Sequence, residues 1–328
     1  MAPAARWGRS FWVSLGIAVV VGMTLALFIG RYPRPYFLSP ALLYEDDLAR
    51  QVLFGLRLPR VLMGAALGMA LAGAGLVLQM IFRNPLVEPG FLGISQGAAF
   101  GAAFSILFLS GFPLVIEALA TVFALVGLGC SFLLARHVRY GEWHLRLILS
   151  GIAVSAFFAA GVGLLKYLAD PLRQLPEITF WLLGGLWGIS WDDLLYVMPF
   201  VVPALVICLL MRWRLNVLSL EDDTAFSLGA APARERALLL TVAVAAVAAV
   251  ISAAGLVGWI GLITPHVARR LTGAEAHRAL PASLLLGALF TVGCDTVARS
   301  LIAGEIPLGI LTSFFGAAGF ALLMMRKL

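Results

Sequence analysis

The sequence predicts an all-α, polytopic membrane protein built as a single transmembrane domain over residues 1–328, and three observations carry that prediction. Hydrophobic residues make up 62% and charged residues 12% of the chain, whereas a soluble protein carries about 25% charge. Mean hydropathy is +1.00. Apolar stretches recur from end to end at lengths suited to a helix crossing about 30 Å of hydrocarbon.

About ten spans can be drawn on that criterion. They cover residues 11–29, 61–81, 91–109, 114–135, 147–168, 194–211, 237–254, 255–267, 282–302 and 308–325. The first has no small-residue cleavage site before Arg31 and Pro33, so it stays as a helix and is not a signal peptide. The eighth is too short to cross alone. Between the fifth and sixth, residues 178–191 are apolar but broken by glycine, as in a short half-buried helix. Small residues at four-residue spacing, in Gly64-Ala65-Ala66-Leu67-Gly68 and Gly97-Ala98-Ala99-Phe100-Gly101, let apolar helices approach closely. An internal echo, Ala74-Gly75-Leu76-Val77 before Pro85 and Ala254-Gly255-Leu256-Val257 before Pro265, is either a duplication or chance.

Orientation follows from the basic residues. With both termini inside, most of the 23 Arg and Lys fall on inner segments, among them Arg6, Arg83, Arg139, Arg214, Arg326 and Lys327. That bias marks the cytoplasmic side.

The stretch 218–236 is the most informative of the inner segments. Ser219 followed by Asp222 reads as a capping box, and Glu221, Asp222 and Asp223 suit the positive end of a helix dipole. Gly229 supplies a left-handed exit, and Pro232 reads as preventing the helix from resuming. About two and a half turns lie between these signals, and a helix that short needs a protein surface to rest on.

Other functions are disfavoured. The net charge of +6 is dispersed between spans, which gives no nucleic-acid surface. The only lysines, Lys166 and Lys327, lie outside any Gly-Lys-Ser/Thr context, so the chain has no P-loop. Cys130, Cys208 and Cys294 have no metal-ligand spacing and read as buried reduced thiols. His137, His144, His266 and His277 likewise form no metal pattern. Asp295 with Arg299, and Lys166 with Asp170, are four residues apart and can neutralise each other. A self-sufficient ion-coupled secondary transporter is the alternative reading, and unpaired acids at mid-membrane would favour it. Two irregular inner turns complete the inventory: Arg83-Asn84-Pro85-Leu86-Val87-Glu88-Pro89-Gly90, and Thr264 to Arg270.

At these residues the chain resembles the membrane permeases of type II ATP-binding-cassette importers, which carry iron-siderophores, haem and cobalamin. The resemblance runs from Arg57-Leu58-Pro59-Arg60 through the Arg83-to-Gly97 run and Trp181-Leu182-Leu183-Gly184-Gly185-Leu186. It continues in Gly255 to Leu262 with Pro265-His266, in Asp295-Thr296-Val297-Ala298-Arg299, and in Glu305-Ile306-Pro307-Leu308-Gly309.

The resemblance implies ten helices per subunit and a homodimer around one path in the bacterial inner membrane. It also implies two cytoplasmic ATPase subunits and an extracytoplasmic binding protein. The chain itself would perform no catalysis and bind no cofactor, with ATP and Mg2+ held by the ATPase subunits. The helix at about 219–230 would be the coupling helix, using Ser219, Leu220, Asp222, Ala225, Phe226, Leu228 and Gly229. Arg57, Arg60 and Arg299 would dock the binding protein. Phe180, Trp181, Gly184, Gly185 and Gln96 would lie at the gate or path. Three residues depart from the pattern: Gln96 where a small hydroxyl residue is usual, Gly185 where Ser is common, and Ala318 where Pro is usual.

Overall fold

The computed structural model describes residues 8–32, 36–109, 111–139, 141–302 and 304–325. Pro33, Arg6, Arg326 and Lys327 lie outside the described residues. The chain opens with α1 (Arg9–Phe28), the short α2 (Leu42–Glu45) and α3 (Asp47–Gln51), a π-helical turn (Val52–Arg57), and α4 (Leu58–Ile81). A 3-10 turn (Pro89–Leu92) leads into α5 (Ile94–Phe108), α6 (Pro113–His137) and α7 (Trp143–Leu168). Then come α8 (Gln174–Leu183), α9 (Trp191–Leu210), α10 (Arg212–Leu218) and α11 (Asp222–Ser227). The last four are α12 (Pro232–Ala254), α13 (Ile260–Thr272), α14 (Ala276–Leu301) and α15 (Leu308–Met325). Eight helical stretches are long and apolar enough to span a bilayer, and the shorter α5 is also apolar. With α13 they account for the ten expected segments.

The bundle is organised around α4, whose hydrophobic window is 89% buried. It packs against α14, α12, α13 and α9. Glycine makes those approaches close. A Cβ on Gly68 would strike the Gly287 carbonyl, and one on Gly75 would strike the Gly261 carbonyl. Between apolar helices in lipid, such backbone proximity replaces the hydrophobic drive that water supplies elsewhere. A second packing unit joins α5, α6 and α7, where Phe100 meets Phe123 at 5.1 Å and Phe158 at 5.5 Å between ring centroids.

Several expectations need correction. The half-buried helix starts earlier than expected and is α8, Gln174–Leu183, while residues 184–190 are irregular. The eighth segment does not begin at Gly255. That glycine ends α12 at φ +67°, and helix resumes only at Ile260. The two copies of the internal echo differ locally, because Gly75 lies mid-helix and Gly255 at a break. Lys166 and Asp170 are not paired among the described residues. Asp170 instead accepts the amides of Leu172 and Arg173, at 2.9 Å each. Cys130 is exposed, whereas Cys208 and Cys294 are buried as expected.

Candidate functional site

Four places hold the sequence-predicted residues: a clamped helix at one end of the bundle, a stitched break, a cavity beside that break, and an arginine cluster at the other end.

The clamped helix is α11, and its construction differs from the expected one. Ser219 does not cap it. Its hydroxyl donates to the Asn216 carbonyl at 2.7 Å, at the end of α10, and Glu221 is the N-cap residue without a side-chain bond. The helix therefore spans only Asp222–Ser227, shorter than expected. Pro232 starts α12 at its first turn, a position where its missing N–H costs nothing. Gly229 does adopt the left-handed conformation, at φ +77°.

Asp222 was assigned to the cap, but its carboxylate accepts from Arg236 at 2.5 Å. Arg236, 3% exposed, also donates to the carbonyls of Leu218 at 2.9 Å and Leu220 at 3.3 Å. Arg83 donates to the Leu220 carbonyl as well. On the flanks, Arg214 donates to the Gly229 carbonyl at 3.2 Å, and the Ala276 amide donates to Asn216 at 2.8 Å. So α10 and α11 are tied to the ends of α4, α12 and α14. Ala225 is the buried foot of α11, whereas Phe226 is 73% and Leu228 59% exposed. Leu220 is also exposed. A six-residue helix is not stable alone; here cationic donors hold its preceding carbonyls while its large apolar side chains face outward.

Residues 184–185 are stitched to the α12–α13 break, and Leu186 to Ser190 after them line the same cavity as the arginines. The Gly185 amide donates to the Ala254 carbonyl at 2.8 Å, and the Gly309 amide to the Gly184 carbonyl at 3.4 Å. Gly184 has φ +66° and its α-carbon lies against the Leu256 carbonyl, leaving no room for a Cβ. The space where a side chain at Gly185 would project is filled by the Trp187 ring. That accounts for glycine here in place of the common serine. Trp187 in turn meets the exposed Phe180 edge to face at 6.3 Å. Trp181 closes the group, its carbonyl packed against Gly255.

Gln96 stands apart from this group. It lines a cavity of about 360 Å³ with Glu88, Ser95 and Ser155, and Leu256 and Val257 of the break form its far wall. Glu88 escaped sequence reasoning because it sat in what read as an inter-helix turn.

The three arginines at the other end are used internally. Arg57, 6% exposed, is swung inward by the π-helical turn, a local widening often found at functional positions. It donates to the carbonyls of Leu27 at 2.9 Å, Phe28 at 3.2 Å and Tyr32 at 2.5 Å. Arg60 bridges Asp295 at 2.9 Å and Glu305 at 3.0 Å. Arg299 approaches Asp295 at 3.5 Å and donates to the carbonyls of Ile29 and Ala26. The local Asp295–Arg299 pair is thus part of a four-residue hub, and none of the three arginines is a freely displayed charge. Around them is a cavity of about 490 Å³ that also holds Arg31 and Tyr32. Nearby, outside the spans, Tyr32 donates to Asp46 at 2.7 Å, which lowers the Asp46 carboxyl pKa and raises that of the Tyr32 hydroxyl.

The sequence model of the FecCD transport family matches residues 18–326. The chain belongs to that family. It is 38% identical over 324 residues to the molybdate import system permease protein MolB of Haemophilus influenzae, covering 95% of this chain and 94% of the relative. It is 36% identical to the hemin transport system permease protein HmuU of Yersinia pestis, covering 86% and 85%. Against the vitamin B12 import system permease protein BtuC of Vibrio cholerae it is 34% identical, covering 98% and 95%. A solved structure described as an inward-facing metal-chelate type ABC transporter superposes with a TM-score of 0.90 at 36% identity, covering 98% of this chain and all of that one. As a member of the FecCD family the chain is a multi-pass permease subunit of an ABC importer, a channel component without an ATPase site of its own.

Proposed function

We propose that this FecCD-family permease imports a metal chelate or tetrapyrrole, of the iron-siderophore, haem or cobalamin kind, by alternating access. Two copies enclose the path in the bacterial inner membrane. Two cytoplasmic ATPase subunits bind ATP and Mg2+, and an extracytoplasmic binding protein delivers the substrate. The observation that carries this reading is α11. Phe226 on the six-residue helix and Leu228 at its C-cap stand 73% and 59% exposed, and the segment's base is fastened to three other helices. An exposed apolar pair on a mounted base is suited to seat in a groove of another protein and to pass its movement on. Substrate enters beside Arg57, Arg60 and Arg299, and the 184–185 segment with the 254–258 break forms the gate.

The test is reconstitution. Proteoliposomes holding the chain with its ATPase subunits, and supplied with substrate-loaded binding protein, should take up substrate only with ATP, and the chain alone should take up none. Uptake by the chain alone under an ion gradient would instead establish a secondary transporter.

A further inference from the structure

The cavity around Glu88 is placed and built for a task that the coupling and docking residues do not perform. Its depth follows from α7, which supplies Ile152 and Ser155 to the lining. At 1.5 Å per residue, Ser155 lies about 18 Å along a helix that starts at Trp143 and ends at Leu168. That is the midpoint of a helix long and apolar enough to span a bilayer. Two interruptions of helix meet there: the extended residues between α12 and α13, and the 3-10 turn Pro89–Leu92 that enters α5 through Gly93 at φ +82°. Non-helical backbone is tolerated at membrane depth only where protein buries it or where it lines a wet cavity.

Glu88 is the one charged side chain among the lining residues. Among the described residues no cation pairs with Glu88. The hydroxyl of Ser155 is buried without a hydrogen-bond partner. Ser95 and Gln96 add groups that both donate and accept, Phe91 and Ile152 supply apolar walls, and no Arg, Lys or His is among the lining residues. A carboxylate in apolar surroundings without a counter-charge is costly, and an ionisable group at this depth marks a functional site. An apolar cavity with a few convergent polar groups is the usual form of a small-molecule site. At about 360 Å³ it holds one arm of a chelate.

We propose that this cavity is a substrate-contact site in which Glu88 receives an ammonium or another hydrogen-bond donor carried by a metal chelate, with Ser155 and Gln96 completing the contact. The site rests on the import reading above and narrows it. A cavity whose single charged side chain is an unpaired carboxylate favours cationic or donor-bearing chelates and disfavours free oxyanions such as molybdate.

The test is equilibrium binding to the full chain in nanodiscs. The probes are a radio-iron trihydroxamate with a free ammonium, its N-acetylated neutral form, and molybdate. The ammonium form should bind at least about ten-fold more tightly than the acetylated form, an advantage of about 1.4 kcal/mol, and more tightly than molybdate. Glu88→Gln should abolish the difference and Glu88→Asp restore part of it. Ser155→Ala should weaken both iron probes. Thermal unfolding of each variant separates lost binding from lost fold. Equal binding of the two iron forms to the wild type, tighter binding of molybdate, or a preference that survives in Glu88→Gln would overturn the proposal. Binding is read without transport, so a failure of the ATP-driven reading in proteoliposomes is a separate result.

Discussion

Neutralising Asp295 should destabilise the fold more than any other single change to the arginine cluster. Its carboxylate is 3% exposed and serves Arg60, whose side chain is 13% exposed, and Arg299, 7% exposed. Asp295→Asn keeps the shape and one acceptor but leaves Arg60 with Glu305 alone and Arg299 with no carboxylate. Removing one member of a buried ion pair costs about 3–5 kcal/mol, because the charge left behind is neither solvated nor paired. Glu305 is the internal control. It also bonds Arg60, at 3.0 Å, but its side chain is 34% exposed, so Glu305→Gln should cost about 1 kcal/mol or less. Combining Asp295→Asn with Arg299→Met removes one stranded cation and should recover part of the loss. The assay is denaturant unfolding of purified variants in detergent, read as a double-mutant cycle. Equal losses in Asp295→Asn and Glu305→Gln, or a loss below about 1 kcal/mol in the former, would refute the hub. The same geometry bears on docking: reversing Arg60 to Glu tests the fold before it tests any contact with a binding protein.

Phe226→Asp on the exposed face of α11 should change stability by less than about 0.5 kcal/mol yet abolish ATP-driven uptake; normal coupled uptake would remove α11 from the ATPase contact. Gly75→Val would drive a side chain into the Gly261 carbonyl and should cost about 1–3 kcal/mol, read as a lower unfolding midpoint. The Asp46 carboxyl has a depressed pKa because Tyr32 donates to it. Its stabilising contribution is therefore present above the ordinary carboxylate range and is lost as pH falls through the depressed value. Asp46→Asn should flatten that acid-side loss in a pH series of unfolding midpoints, and an unchanged slope would count against the pair.

Local signals made much of this architecture legible. Spans follow from unbroken apolar runs, since a chain in hydrocarbon must satisfy its own backbone and has only the helix with which to do it. Gly229 announced the left-handed exit of α11 because only glycine takes that conformation without strain, and Gly68 lay in a small-residue pattern that does bring two backbones together. The tertiary structure decided where the polar side chains found partners. Ser219 and Asp222 have capping-box chemistry, yet a buried guanidinium at Arg236 is a stronger partner for the carboxylate than a helix amide, and the box does not form. Asp295 and Arg299 are spaced to pair with each other, but Arg60, 235 residues away from Asp295 in the chain, is the closer partner. Glu88 looked like part of a turn until the fold laid the α12–α13 break beside it. Helices form from contacts a few residues apart, which the order of residues records. Ion pairs and cavities form between segments far apart in the chain, and no local pattern encodes which segments will meet.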